Sequence, residues 1–205
     1  MDIIFQDDDL LVLNKPSGLL SVPGRLVEHK DSLTNRVQEQ FPEARVVHRL
    51  DMETSGIMLM ALNHPAQKNI NLQFEKRQVD KTYFARVHGV IPDDTGMIDA
   101  PLICDWPNRP RQIVDFENGK PSQTKWQVIQ RGDNFTRVKL SPITGRSHQL
   151  RVHLQYIGYP ILGDPLYATG AARHSVERLQ LHATDITFTH PTSGQPITIE
   201  STVPF

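Results

Sequence analysis

The sequence predicts an α+β fold: a single domain over residues 1–205, with a mixed, mostly antiparallel sheet flanked by helices. Three observations carry this expectation. Leu, Ile, Val and Phe supply 57 of the 205 residues, about 28%, whereas disordered chains fall below roughly 20%. Short strand-like runs recur in pairs around turn residues, as hairpins do. Those runs do not alternate regularly with helical ones, which disfavours a doubly wound parallel sheet. A chain of this length is within reach of one core, since single domains run to about 200–250 residues.

Asp9 to Asn14 reads as a short buried strand closed by the turn signal Lys15-Pro16-Ser17-Gly18. Asp31 or Ser32 caps a helix to about Phe41, with Leu33, Val37 and Phe41 four apart and Pro42 as its stop. Residues 56–62 are apolar on both faces, as in a central strand. Asn63 caps a helix to about Arg77, with Pro65 early and Ile70 and Phe74 on one face. Lys81 to Ile91 alternates through Tyr83, Ala85, Val87 and Gly89, a half-buried strand. Residues 100–121 hold four of the 15 prolines and read as an irregular excursion with at most short strands. Trp126–Ile129 and Phe135–Leu140 pair as a hairpin about Gly132-Asp133-Asn134. Ser147 to Ile157 reads as a helix with Leu150, Leu154 and Ile157 on one face, Gly158 at its C-terminal cap and Pro160 beyond. Asp185–Thr189 and Pro196–Glu200 form a last strand pair about Ser193-Gly194.

The 22 Lys+Arg and 23 Asp+Glu leave a net charge of −1, but the distribution is uneven. Residues 106–151 carry nine basic and three acidic side chains, while residues 1–43 carry four and eight. Such a basic stretch is either a surface for a polyanion or a solvated basic face. No apolar run approaches the ~18 residues of a membrane span, and the acidic start lacks a signal peptide's basic and apolar regions. The expected compartment is therefore the cytoplasm. The single cysteine, Cys104, cannot form an internal disulfide, and without a CxxC pair a thiolate zinc site is not expected. His148 and His153 are five apart without an HExxH pattern, and the Asp7-Asp8-Asp9 run reads as solvated. Phosphate loops of the GxxxxGK[ST] or GxGxxG kind and the GxSxG elbow are missing, so neither nucleotide cofactors nor serine acyl transfer are indicated.

Three segments hold polar residues that folding alone does not require. The first is His48-Arg49-Leu50-Asp51-Met52-Glu53-Thr54-Ser55-Gly56, which leads straight into the strand at Ile57. An Asp on a loop held against a buried strand is placed to act as a fixed nucleophile or base, or it simply bonds the backbone amides of its own turn. The second is Lys81-Thr82-Tyr83, whose Tyr is a stacking ring or a half-buried aromatic. The third is Thr144-Gly145-Arg146-Ser147-His148-Gln149-Leu150-Arg151-Val152-His153. On a helix, Ser147, His148 and Arg151 would be neighbours opposite the Leu150/Leu154 face.

These strings together resemble the RluA family of pseudouridine synthases. The likeness rests on His48-Arg49-Leu50-Asp51-x-x-Thr54-Ser55-Gly56, on Asn14-Lys15-Pro16-Ser17-Gly18-Leu19 upstream, on Lys81-x-Tyr83 and on Gly145-Arg146-x-His148-Gln149-Leu150-Arg151-x-His153. Ser21-Val22-Pro23-Gly24-Arg25, residues 102–110 and Gly163-Asp164-Pro165-Leu166-Tyr167-Ala168 resemble one branch of that family in particular. Many relatives carry an N-terminal S4-like RNA-binding domain; none is expected here, because the catalytic region starts almost at Met1.

The resemblance implies isomerisation of a uridine within RNA: uracil is detached from C1′, rotated and rejoined through C5, without metal or cofactor. Asp51 stands where the family has its nucleophile, Arg151 where it has the Arg that pairs with that nucleophile, and Tyr83 where it has the Tyr that stacks on the target uracil. Arg49 matches the Arg that fills the space left by the flipped base. His48, Arg146, His148, Leu150, Arg109 and Arg111 are expected to bind substrate. Whether the carboxylate attacks C1′ or C6, or drives a glycal route, stays open. A carboxylate buried under a flipped base needs a cation beside it.

A uridine in a loop is cheaper to extrude than one stacked in a helix. The basic stretch then gains a purpose, with Arg109, Arg111, Lys120, Lys125 and Arg137 tracking phosphates. The branch resembled implies two RNA partners, a large-subunit ribosomal RNA site and a tRNA anticodon stem-loop. RNA is the expected partner, not DNA and not a membrane, and a monomer is the default. The competing readings are a synthase for one of the two RNAs, a non-catalytic RNA-binding or chaperone protein on the same fold, and an Asp-nucleophile hydrolase. The second is disfavoured because Asp51, Tyr83 and Arg151 are all present. The third lacks a leaving-group acid or metal near Asp51.

Overall fold

A computed structural model describes residues 1–24 and 30–205; Arg25, part of one string above, lies outside the described residues. The first elements are β1 (Ile3–Gln6), β2 (Leu10–Lys15), α1 (Leu33–Gln38), β3 (Arg45–Val46), β4 (Ser55–Ala61) and α2 (His64–Glu75). They are followed by β5 (Asp80–His88), β6 (Thr95–Asp99), β7 (Leu102–Cys104), β8 (Gln112–Val114), β9 (Gln123–Arg131) and β10 (Phe135–Pro142). The last are α3 (Gln149–Tyr156), α4 (Gly170–His174), β11 (Leu181–Thr189) and β12 (Pro196–Glu200). The chain divides into two compact units, Met1–Lys81 with His182–Pro204, and Thr82–Leu181 with Phe205.

In the first unit β2 lies antiparallel between β1 and β4. β11 runs parallel to β4 and antiparallel to β12, so the sheet is mixed. Both faces of β2 and β4 are covered. Leu10, Val12, Ile57 and Leu59 pack with Ile70 of α2, and Leu11, Leu13, Met58 and Met60 pack with Leu33 and Val37 of α1. Two-sided burial is the reason residues 56–62 show no alternation. Gly56 is required where β4 begins: its φ is +111°, and a Cβ there would run into the backbone of Ala183 on β11.

The helix starts follow the capping chemistry. Ser32 Oγ accepts from Asn35 N, and Asn63 Oδ1 accepts from Ala66 N. Asp31 instead pairs with Arg36. α1 ends at Gln38 rather than Phe41, because its last turn tightens and the N–H groups of Gln40 and Phe41 both turn to the Val37 carbonyl.

The second unit is built on an antiparallel sheet in the order β5-β10-β9-β6. The hairpin about residues 132–134 is longer than expected, and residues 100–121 form the short pair β7–β8 around a 3-10 turn at Trp106–Asn108. Ala85, Val87, Val138 and Leu140 line the face that packs under Leu150 and Leu154 of α3. α3 departs from expectation. It begins at Gln149, and His148 is left-handed with φ +54°, so Ser147 and His148 are not on the helix. All six residues from Gln149 to Leu154 are buried, so Arg151 does not lie on a solvated polar face. β1, β3, β6, α4 and the first half of β11 escaped sequence reading; β6, for example, buries only Ile98, and its sequence Thr-Gly-Met-Ile-Asp carries no apolar–polar alternation.

Candidate active site

The loop carrying Asp51 is pinned from below. Lys15 ends β2 with its side chain fully buried, and its ammonium donates to the carbonyls of Pro16 (2.8 Å), Leu19 (2.7 Å) and Met52 (2.9 Å). All three of its protons are used, one on the residue next to Asp51. Burial pushes the Lys15 pKa down to about 8, against the pull of the Asp51 and Glu53 carboxylates. Ser17 Oγ donates to the Glu53 carbonyl, and Ser21 Oγ both donates to and accepts from the backbone of Leu50. Asp51 itself is half-buried at the head of the turn, where its carbonyl accepts from Thr54 N.

His48 serves this scaffold. Its Nε2 accepts from Leu59 N in β4 at 2.9 Å, and its ring stacks on Phe74 of α2. Burial, with the nearby Lys81 charge, pushes its pKa down to about 3, so the ring is neutral at physiological pH. The ring expected to meet substrate thus also has a fold-building bond, to the backbone of β4. Arg49, next along, is exposed.

In the second unit the centre of polar bonding is Tyr167, which is buried. Its hydroxyl accepts from Gln112 N at 2.8 Å and lies 2.7 Å from His148 Nδ1. The guanidinium groups of Arg111 and Arg151 lie over its ring at 5.4 and 5.1 Å. Arg151 is held by Asp164 through two short bonds, Nε to Oδ2 at 2.8 Å and Nη2 to Oδ1 at 2.7 Å. Asp164 Oδ1 also accepts from the backbone of Leu166 and Tyr167. A bidentate pair of this kind fixes the guanidinium plane.

The rest of the third polar segment does structural work. The Gln149 amide donates to Gln123 O and Thr124 Oγ1 and accepts from Thr144 Oγ1 and Arg146 N. His153 bonds Thr124 Oγ1 and the Ala100 carbonyl. Leu150 belongs to the core beneath α3. Tyr83 is half-buried on β5 and packs at the edge of the same core.

The basic residues separate. Arg109 is exposed and stacks on Trp106, itself 65% exposed, at the tip of the β7–β8 excursion. Arg146 is exposed before α3, and Lys125 and Arg137 sit on the sheet. Lys15, Asp164 and Tyr167 had no role assigned from sequence. A Lys closing an otherwise apolar strand, and an Asp in the short Gly-Asp-Pro string, are the signals that mark them.

A profile of the RNA pseudouridylate synthase family matches residues 9–156. The dual-specificity RNA pseudouridine synthase RluA of Yersinia pestis is 57% identical over 198 residues, covering 96% of both chains. The RluA of Escherichia coli strain K12 is 53% identical over 204 residues, 99% of this chain and 93% of that one. Among solved structures, human RNA pseudouridylate synthase domain containing 1 superposes with a TM-score of 0.84 at 30% identity, over 100% of this chain and 84% of that one. Domain containing 4 gives 0.78 at 26%, over 99% and 88%.

Proposed function

The chain belongs to the RNA pseudouridylate synthase family, and on that footing we propose that Asp51 is the nucleophile of its reaction. The reaction isomerises uridine in RNA to pseudouridine. The bond from N1 to C1′ breaks, a bond from C5 to C1′ forms, N1 gains a proton and the hydrogen at C5 is lost to solvent. The enzyme is a dual-specificity synthase like the relatives it matches, acting on ribosomal and transfer RNA. Its finer targets, in our reading, are a large-subunit ribosomal RNA site and a tRNA anticodon stem-loop. We read both compact units as one catalytic domain, working as a cytoplasmic monomer.

The observation that carries the nucleophile is the anchoring of its loop: Lys15, Ser17 and Ser21 bond the backbone on both sides of Asp51. A carboxylate whose backbone cannot drift starts the reaction already oriented. Tyr83 is the ring for the target uracil and a candidate to move a proton at the sugar. Arg151 is the cation that the motif likeness assigns to Asp51, and Arg49, exposed on the same loop, replaces the extruded base. Extrusion costs a few kcal/mol, least in a loop.

The test is tritium release from RNA labelled at C5 of its uridines. The anticodon stem-loop and a large-subunit ribosomal RNA fragment are each expected to lose tritium to water. Release from only one would reduce the enzyme to a single-substrate synthase, and binding of both without release would make it an RNA-binding protein.

A further inference from the structure

The sheet of the second unit has a face on which none of the proposed catalytic residues lies. Tyr83 and Phe84 are neighbours on β5 and point to opposite sides. The Tyr83 side packs under α3. The Phe84 side carries Arg86, Arg137, Lys139 and Lys125 in sheet register: Arg86 lies opposite Arg137, and Lys139 opposite Phe84 and Gln127. Strand geometry sets these cations at intervals of about 5–7 Å.

Like charges directly opposite on a sheet are destabilising, yet among the described residues no carboxylate is paired with either arginine. Each is instead laid on a ring, Arg137 over Phe84 and Arg86 over Phe135, both at 5.4 Å. The Nε of each is buried with no hydrogen-bond acceptor. Beyond them the same face opens into a groove of about 480 Å³ between β6, β9 and β10. Lys125, Lys139, Gln127, Ser141, Thr95 and Met97 line it, without a carboxylate. The one acid these three strands add to this side, Asp99, lies at the end of β6 and accepts from Gln123.

We propose that this groove and the arginine pair behind it form a second RNA-binding surface, which takes the phosphodiester backbone of the substrate outside the nucleotides being modified. It rests on the reading of the protein as an RNA-modifying enzyme. Uncompensated cations held on rings, with hydroxyl and amide groups beside them, suit a phosphate chain: the charges attract it and the small polar groups accept its bending. A minimal hairpin engaged at Tyr83 does not need the opposite face, whereas a longer RNA reaches it.

The test compares wild type with Lys139→Glu and with the milder Lys139→Gln. Binding of a full-length tRNA transcript and of its isolated anticodon stem-loop is measured by fluorescence anisotropy from 50 to 200 mM KCl. The transcript is expected to bind the Glu variant at least 3-fold more weakly, the Gln variant to fall between, and the slope of log Kd against log salt to drop by about 1. Turnover on the stem-loop is expected to equal wild type, which also shows that the variants are folded. Unchanged transcript affinity and slope would overturn the proposal, and so would a change seen only with anionic vesicles or duplex DNA. If wild type turned over neither RNA, the enzymatic reading itself would fail, a result separate from any difference between variants.

Discussion

Asp164 grips Arg151 through two parallel hydrogen bonds, and both side chains are almost wholly buried, at 0% and 2% exposure. The guanidinium charge is therefore matched inside its own unit, by a carboxylate that the backbone of Leu166 and Tyr167 holds in place. Arg151 is thus a fixed group, and in the first unit the Lys15 ammonium feels the Asp51 carboxylate.

Asp164→Asn keeps the shape and removes the charge. Breaking a buried ion pair costs about 3–5 kcal/mol when one partner is truncated; the amide retains some bonds, so about 2–4 kcal/mol is expected in urea unfolding. The orientation of Arg151 loosens with it, and kcat is expected to fall 10- to 100-fold with KM for RNA little changed. A destabilised variant with wild-type kcat would make Asp164 purely structural.

Lys15 adds a pH signature. Its ammonium loses a proton at about 8 in the folded protein and near 10.5 when unfolded. Between those values the unfolded chain binds more protons, so this residue makes stability rise with pH. The rise totals about 3 kcal/mol at its limit. Chemical denaturation at pH 7.5 and 9.5 is expected to show wild type gaining stability relative to Lys15→Met, and a constant difference between them would contradict the buried charge.

His48 works at the acid end. Its ring stays neutral in the fold down to about pH 3, while the unfolded chain protonates it near 6.5. Below 6.5 the unfolded state binds more protons, so stability falls as pH falls. The loss is about 2–3 kcal/mol at pH 4.5. In His48→Gln, whose amide oxygen can still accept from Leu59, this share of the acid sensitivity is expected to vanish. Parallel titrations of both proteins would reveal it, and identical acid branches would refute it.

Tyr83→Phe separates stacking from proton transfer. The ring and its packing beside the core are kept, so KM for RNA is expected to stay within about threefold. Losing a general acid–base group costs about 10²–10⁴ in rate, and kcat is expected to drop by at least 100-fold. A silent substitution would leave Tyr83 as a stacking ring alone.

Much of this was legible because local chemistry and tertiary packing agree. Ser32 and Asn63 cap the helices they begin, and residues 56–62 lack alternation because both faces of β4 are covered. The last strand pair turns about Gly194, whose φ is +70°. Exposed strands such as β1 and β6 bury too little to leave a periodic trace. The start of α3 was misread because a left-handed His148 is set by its bond to Tyr167, nineteen residues on. For the same reason the scaffold roles of His48 and Leu150 left no trace in the sequence: their partners, Leu59 N and the core under α3, are tertiary. Asp164 was invisible as a partner of Arg151 because no sequence spacing encodes a buried pair of this kind.

The central claim, that the Asp51 carboxylate performs the isomerisation, is tested most directly by Asp51→Asn in single-turnover tritium release from a C5-labelled anticodon stem-loop. The account predicts RNA binding and thermal midpoint like wild type and no release above the enzyme-free control. Enzyme-dependent release by the folded variant would contradict it and remove Asp51 as the nucleophile.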